Sequence, residues 1–222
     1  MQKELINYLS GFVTEARLKC FEDVLVNRTR HIAIGLENIY QAHNASAVLR
    51  SCDCFGIQDV HIIENENKYT YNPDVSLGSE KWLTLNRYNN KDKSLENCID
   101  TLKAKGYKIA VTSLHQDNYT IEEVPLNNKV ALFFGTEMRG ATTELESKAD
   151  MFVKIPMLGF TESFNISVAA ALSMYTLSSR LRKENIAWQL NETDKEELRL
   201  QWLRNTIPKV ELIEKDFLEK RK

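Results

Sequence analysis

His31-Ile32-Ala33-Ile34-Gly35-Leu36, then Ser46-Ala47-Val48-Leu49-Arg50-Ser51-Cys52-Asp53-Cys54-Phe55-Gly56, then Val60-His61-Ile62-Ile63: residues 31–63 set the fold class. The two outer runs are short, apolar and rich in β-branched residues, as buried strands are. The middle run reads as a helix, and Gly56 stands where a C-terminal glycine cap is expected. Two apolar strands joined through a helix make a parallel pair, because a parallel crossover needs a dozen or more residues.

The same alternation continues downstream. Trp82–Tyr88, Tyr107–Leu114, Val130–Phe134 and Phe152–Ile155 read as strands. Ser94–Lys105 reads as a helix with Leu95, Cys98, Ile99 and Leu102 on one face, and Thr142–Lys148 as a shorter one. Asn165–Lys183 is a long, mostly apolar helix. Residues 64–81 are polar, rich in Asn and form the longest irregular stretch. Upstream, Leu5, Tyr8, Leu9, Phe12 and Val13 begin an apolar stripe that Ala16, Cys20, Phe21, Val24 and Leu25 continue, so residues 3–28 read as helical. Asp194–Thr206 and Lys209–Lys220 form a helical tail. The expectation is an α/β protein: a mostly parallel sheet with helices on both faces over 31–184, between helical extensions at 1–30 and 185–222.

The chain has 222 residues, 43% hydrophobic and 27% charged, with formal net charge −2. Its size suits one ordinary core with terminal additions. The near balance of charge excludes a protein that coats nucleic acid by bulk charge, though not a local basic patch. No apolar run approaches the roughly 20 residues that span a bilayer. Met1-Gln2-Lys3-Glu4 lacks the basic start and apolar block of a signal peptide, so a cytoplasmic protein with no membrane contact is expected. Cys20, Cys52, Cys54 and Cys98 include no C-x-x-C pair, which points to free thiols and no metal.

Three segments place polar residues and glycines just beyond a strand, where open α/β sheets bind ligands. The first is Asn38 to Arg50, with Asn44 placed as a helix N-cap and Arg50 almost two turns further on. The second, Leu132-Phe133-Phe134-Gly135-Thr136-Glu137-Met138-Arg139-Gly140, ends a strand at Gly135 and sets Glu137 in the turn. It is neither a P-loop nor a G-x-G-x-x-G fingerprint. The third is Ile155-Pro156-Met157-Leu158-Gly159-Phe160-Thr161-Glu162-Ser163-Phe164-Asn165, followed by Ile166-Ser167-Val168-Ala169-Ala170-Ala171. Its alternating Ser163, Asn165 and Ser167 exceed what one helix cap needs. Each segment alone also fits a capped turn, or in Arg50 a surface ion pair with Asp53. Together they should meet at one edge of the sheet.

The ordered motifs N-x5-R, F-G-x-E-x-x-G and I-P-M-x-G-x-x-x-S-x-N-x-S-V-A-A-A resemble the SpoU family of RNA ribose 2′-O-methyltransferases. The likeness runs from about residue 15 to residue 184, and is strongest to members that modify a tRNA guanosine. It includes Gly78-Ser79-Glu80-Lys81-Trp82, similar to a G-S-x-K-W segment of that subgroup. The resemblance implies a SPOUT-type fold with a deep C-terminal trefoil knot, S-adenosylmethionine as cofactor, and a homodimer with its site at the subunit interface. It implies methyl transfer to a guanosine ribose in the D-loop of tRNA. The catalytic group would be Arg50, Asn44, Glu137, Ser163 and Asn165. Cofactor contacts would come from Thr112, Gly135, Ile155, Leu158, Phe164 and Asn165.

RNA affinity needs cations against phosphates, and Arg17, Lys19, Arg28, Arg30, Arg180, Arg182, Lys183 and the Lys220–Lys222 end are the candidates. Two departures stand out. Ala42 replaces a proline usual before the His-Asn pair, and Phe160-Thr161-Glu162 replaces a more apolar run ending in Val-Gln. The competing expectations are the same chemistry on ribosomal RNA, a non-catalytic RNA-binding dimer that keeps the fold, and a nucleotide-binding enzyme of doubly wound type. The missing glycine fingerprint weighs against the last.

Overall fold

A computed structural model describes residues 1–65, 69–90, 93–114, 116 and 118–220. In chain order the elements are α1 (Gln2–Ser10), α2 (Glu15–Leu25), β1 (Thr29–Glu37), α3 (Ala42–Phe55), β2 (Ile57–Ile63), α4 (Pro73–Ser76), β3 (Thr84–Tyr88), α5 (Ser94–Ala104) and β4 (Tyr107–Thr112). They continue with β5 (Tyr119–Thr120), β6 (Lys129–Phe134), α6 (Thr143–Ser147), β7 (Met151–Lys154), α7 (Ile166–Leu181), α8 (Glu192–Thr206) and α9 (Val210–Glu219). A single 3-10 turn covers Ser79–Lys81. The chain divides into two compact units, one of residues 29–188 and one of residues 1–28 with 189–222.

The larger unit is a seven-stranded sheet in the order β3-β2-β1-β6-β4-β7-β5. Its pairings all run parallel. Side chains of a strand alternate between faces, and the core divides accordingly. Ile32, Ile34 and Leu36 of β1 with Val130, Leu132 and Phe134 of β6 join Val48, Leu49, Ala170, Met174 and Leu177 from α3 and α7 on one face. Ala33, Ala131 and Phe133 join Leu95, Cys98, Ile99 and Leu102 of α5 and Leu145 of α6 on the other. Gly35 lies beside Phe133 in register. A Cβ there would stand 2.2 Å from that ring, so the ring fills the space that the glycine leaves.

Gly56 ends α3 at φ 74°, its N–H bonded to the carbonyls of Cys52 and Asp53, as the sequence predicts. Three other expectations change. The continuous helix over 3–28 is two helices: Gly11 closes α1, and Thr14 opens α2 by accepting the Arg17 N–H. The apolar spacing carries across that break, so periodicity could not register it. The polar stretch 64–81 is not wholly irregular. Asn72 caps the short α4 through the Asp74 N–H, although residues 66–68 lie outside the described set. Strand β5 went unread because two residues show no period.

The smaller unit holds α1, α2, α8 and α9. Arg199 makes a two-pronged contact with Glu22 at 2.6 and 2.7 Å. The Tyr8 hydroxyl donates to Asp216 at 2.6 Å, and Phe21 packs edge-on against the buried Trp202. Among the described residues no helix is long and apolar enough to cross a membrane.

Candidate active site

The carboxyl ends of β4, β6 and β7 open together onto a cavity of about 500 Å³. It lies beside the start of α3, in the crevice that a reversal of strand order creates in such sheets. Thr112, Ser113 and Leu114 line it after β4, Gly135 to Ala141 after β6, and Ile155, Met157 and Ser163 to Ile166 after β7.

The loop after β6 is held at both ends. Thr136 and Gly140 exchange backbone hydrogen bonds at 2.8 and 3.1 Å. A Cβ on Gly135 would come within 2.1 Å of the Gly140 backbone, so only glycine lets this loop fold back on the strand. Beyond it, Thr142 donates its hydroxyl and N–H to Glu37 at 2.6 and 2.9 Å, while its oxygen caps α6 at Leu145. Glu37 is fully buried at the end of β1, the strand paired with β6, so the far end of the loop is tied to the neighbouring strand.

One chain of side-chain hydrogen bonds joins the three motifs. The Asn44 amide donates to Glu137 at 3.0 Å and accepts from the Asn165 amide at 3.1 Å. Asn165 then caps α7, its oxygen accepting from the Ser167 N–H at 2.8 Å and the Ser167 hydroxyl at 2.6 Å. Glu137 also accepts from the backbone N–H groups of Tyr40 and Gln41, each at 3.3 Å. Burial pushes the Glu137 carboxyl upward in pKa. The bonds from Asn44 and from the backbone outweigh it and hold the group below its ordinary value.

Asn44 therefore does not cap its helix. α3 starts earlier, with Gln41 in the cap position and no side-chain cap of its own. The carboxylate of Glu137 meets the helix start instead, where the positive end of the macrodipole favours an anion. Asn44 stands one turn in, free to bridge the other two motifs.

The structure brings Asn44, Thr112, Gly135, Glu137, Ile155, Ser163, Phe164 and Asn165 to one cavity. It does not bring Leu158 there: that side chain is fully exposed. Arg50 is absent from the cavity wall as well. Six residues past Asn44 is about 240° around a helix, so the two side chains leave different faces. Arg50 is exposed and pairs with no described residue, Asp53 included.

The proposed RNA contacts separate just as clearly. Arg17, Lys19 and Lys183 are exposed. Arg28 is 1% exposed and lies over the Trp202 ring, where no phosphate reaches it. Arg30 pairs with Asp59 at 3.4 Å. Arg180 engages Glu184 and the Ile121 carbonyl. Arg182 bonds the carbonyls of Ser178 and Phe55 and covers the Trp188 ring, and burial lowers its pKa. Lys220 pairs with Asp216, and residues 221–222 lie outside the described set. The cavity also gains residues not singled out from sequence: Gln41, Arg139, Glu146 and Met157. Arg139 and Met157 sit inside the motifs themselves, and Gln41 three residues before the first. Glu146, on α6, carried no local signal. Among the described residues no cluster of three or more His, Cys, Asp or Glu side chains is placed to hold a metal.

Comparison with known proteins places this arrangement. The SpoU rRNA Methylase family matches residues 31–175. A tRNA (guanosine(18)-2′-O)-methyltransferase of Borreliella burgdorferi is 46% identical over 94% of both chains. One from Thermus thermophilus is 35% identical, covering 73% of this chain and 81% of its own. The crystal structure of an Aquifex aeolicus TrmH/SpoU tRNA modifying enzyme superposes with a TM-score of 0.76 at 27% identity, over 88% of this chain and 98% of that one. With the three motifs gathered around one cavity and a family match over most of its length, the chain belongs to the SpoU methylase family.

Proposed function

We propose that this protein transfers a methyl group from S-adenosylmethionine to the ribose 2′-hydroxyl of a guanosine in the D-loop of tRNA. The hydrogen-bond chain Asn165–Asn44–Glu137 carries the reading, because it commits three distant motifs to one cavity. The tRNA substrate rests on the relatives' activity, and on similarity that extends over the terminal helices as well as the core.

The cavity suits the cofactor in size and chemistry. Its volume falls within the range of small-molecule sites. Phe134, Ile155 and Ile166 give it apolar walls, and Glu137 and Glu146 set carboxylates against a cation. When bound, S-adenosylmethionine supplies an electrophilic methyl on a positive sulfonium. Thr112, Gly135, Ile155, Phe164 and Asn165 would hold it, with much of the contact through backbone at the strand ends. Ser163 and Asn165 shape the loop after β7. The ribose hydroxyl is a weak nucleophile until its proton leaves. A guanidinium stays protonated in proteins, so Arg50 would grip the neighbouring phosphate and stabilise the developing alkoxide rather than take the proton.

Arg50 lies outside its own chain's cavity, so this role calls for a second subunit. A homodimer is supported by Val168, Leu172 and Tyr175, large apolar side chains exposed on α7. A deep trefoil knot is supported by the strand order. The chain leaves β4, forms the edge strand β5, returns to β6 on the other side of β4, then crosses back to β7. For RNA, Arg17, Lys19 and Lys183 are the exposed cations that remain from the sequence candidates.

Incubation of bulk RNA with tritiated S-adenosylmethionine, nuclease digestion and mass spectrometry tests the proposal. The expected product is 2′-O-methylguanosine in the tRNA D-loop. Label confined to ribosomal RNA, or no transfer to any RNA, overturns it.

A further inference from the structure

We propose that Arg139 seats a phosphate of the target nucleotide at the rim of the cavity. The inference rests on the methyl transfer to RNA proposed above. Four residues on the cavity wall carry formal charge: Glu137, Glu146, Arg139 and Lys154. Glu137 is committed to Asn44 and the start of α3. Lys154 belongs to β7 and is already engaged. Arg139 is exposed, and among the described residues its guanidinium has no hydrogen-bond or ion-pair partner.

Its backbone, by contrast, is fixed. The Arg139 N–H donates to the Thr136 hydroxyl at 3.1 Å, inside the turn that the Thr136–Gly140 bonds close. Gly135 at one end and Thr142 on Glu37 at the other hold that turn to the sheet. An unpaired guanidinium on a rigid turn, at the open side of a cavity, is a pre-organised anion contact. Little backbone freedom is lost when it binds. Its planar fork matches two phosphate oxygens at once, which an ammonium cannot do. RNA is polyanionic, and the substrate must bring a ribose into a cavity that already holds two carboxylates. A cation at the entrance offsets that repulsion where the phosphodiester passes. Arg50 is on another face of α3, so within one chain this contact falls to Arg139.

The full-length variants Arg139→Ala, Arg139→Gln and Arg139→Lys test this with a tRNA transcript. Arg139→Ala and Arg139→Gln should raise KM for tRNA about tenfold, with a much smaller change in kcat. Each should reduce the salt dependence of tRNA binding by about one phosphate contact. Calorimetric affinity for S-adenosylmethionine should stay at the wild-type value. Arg139→Lys should recover part of the KM, because it restores the charge without the fork.

An unchanged KM and salt slope in all three variants overturns the inference. So does a loss of S-adenosylmethionine affinity with unchanged tRNA binding, which would assign the guanidinium to the cofactor's carboxylate. A wild-type protein that methylates no RNA would remove the proposed function itself. An active wild type indifferent to Arg139 removes only this contact.

Discussion

Asn44 is the residue on which the site turns, and its chemistry is fully determined. An ionised carboxylate only accepts hydrogen bonds, so the Asn44 amide must present its NH₂ to Glu137. That leaves its oxygen for the Asn165 NH₂, and leaves the Asn165 oxygen for the cap of α7. Each amide can be oriented in one way only. Asn44→Asp should therefore be worse than Asn44→Ala. It sets a second carboxylate about 3 Å from Glu137, where like charges raise a pKa or drive the groups apart. Methyl transfer should fall roughly tenfold in Asn44→Ala, in line with losing one charge-assisted bond, and roughly a hundredfold in Asn44→Asp, where like-charge repulsion is added. Equal rates in the two variants, measured at saturating cofactor, would reject the bridge. Which residues gather at the cavity was legible only in part: the motif order brings Asn44, Glu137, Ser163 and Asn165 there, but not Arg50 or Leu158. How they bond was not legible. Sequence logic casts Asn44 as an N-cap, whereas the charge at that helix start comes from a residue 93 positions later. Nothing local announces such a partner.

Helix α7 shows what an element can reveal that its residues do not. Ala170, Met174, Leu177 and Leu181 bury one side of it in the core. Val168, Leu172 and Tyr175, at spacings of four and three, lie 45%, 40% and 61% exposed on the other. A helix that is apolar all round is normally covered all round. Exposed apolar stripes of this kind mark interfaces. The helix packs on α3, which carries Arg50, and Tyr175 of the stripe meets the Phe55 ring at the end of that helix. Leu172→Glu places a charge in the proposed dimer interface and should raise the dimer dissociation constant at least about a hundredfold. Sedimentation velocity would read this as a shift from dimer to monomer. A wild type already monomeric at micromolar concentration, or a variant that stays dimeric, would exclude this face as the interface. The sequence shows this segment as a long, mostly apolar helix. It does not show the uncovered stripe, because apolar residues on two sides of a helix look the same in a string as apolar residues on one.

Across the whole molecule, the α/β class was legible because short β-branched runs alternate with helical spacing. The strand order was not, since the placement of β4 between β6 and β7 depends on crossings that leave no local trace. The sheet also hides a titratable group. His61 on β2 is 1% exposed, its ring stacked on Tyr88 and its Nδ1 bonded to the Tyr88 hydroxyl at 3.0 Å. Burial, with a smaller contribution from the Lys105 charge, lowers its pKa from 6.5 to about 4. In the unfolded chain His61 takes up a proton near its ordinary value, and in the folded protein only well below it. Between those values the unfolded state binds more protons, so stability falls as pH falls. A displacement of this size is worth about 3 kcal/mol in full, of which about 2 kcal/mol should be gone at pH 5. The depressed Glu137 carboxyl acts lower: its contribution is present above its ordinary value of 4.5 and fades as pH drops through and below it. The two effects therefore separate on the pH axis. Urea denaturation at pH 7 and pH 5 should show wild type losing about 2 kcal/mol more than His61→Gln, which cannot titrate. The same loss in both proteins would show that the buried imidazole does not govern acid stability in this range.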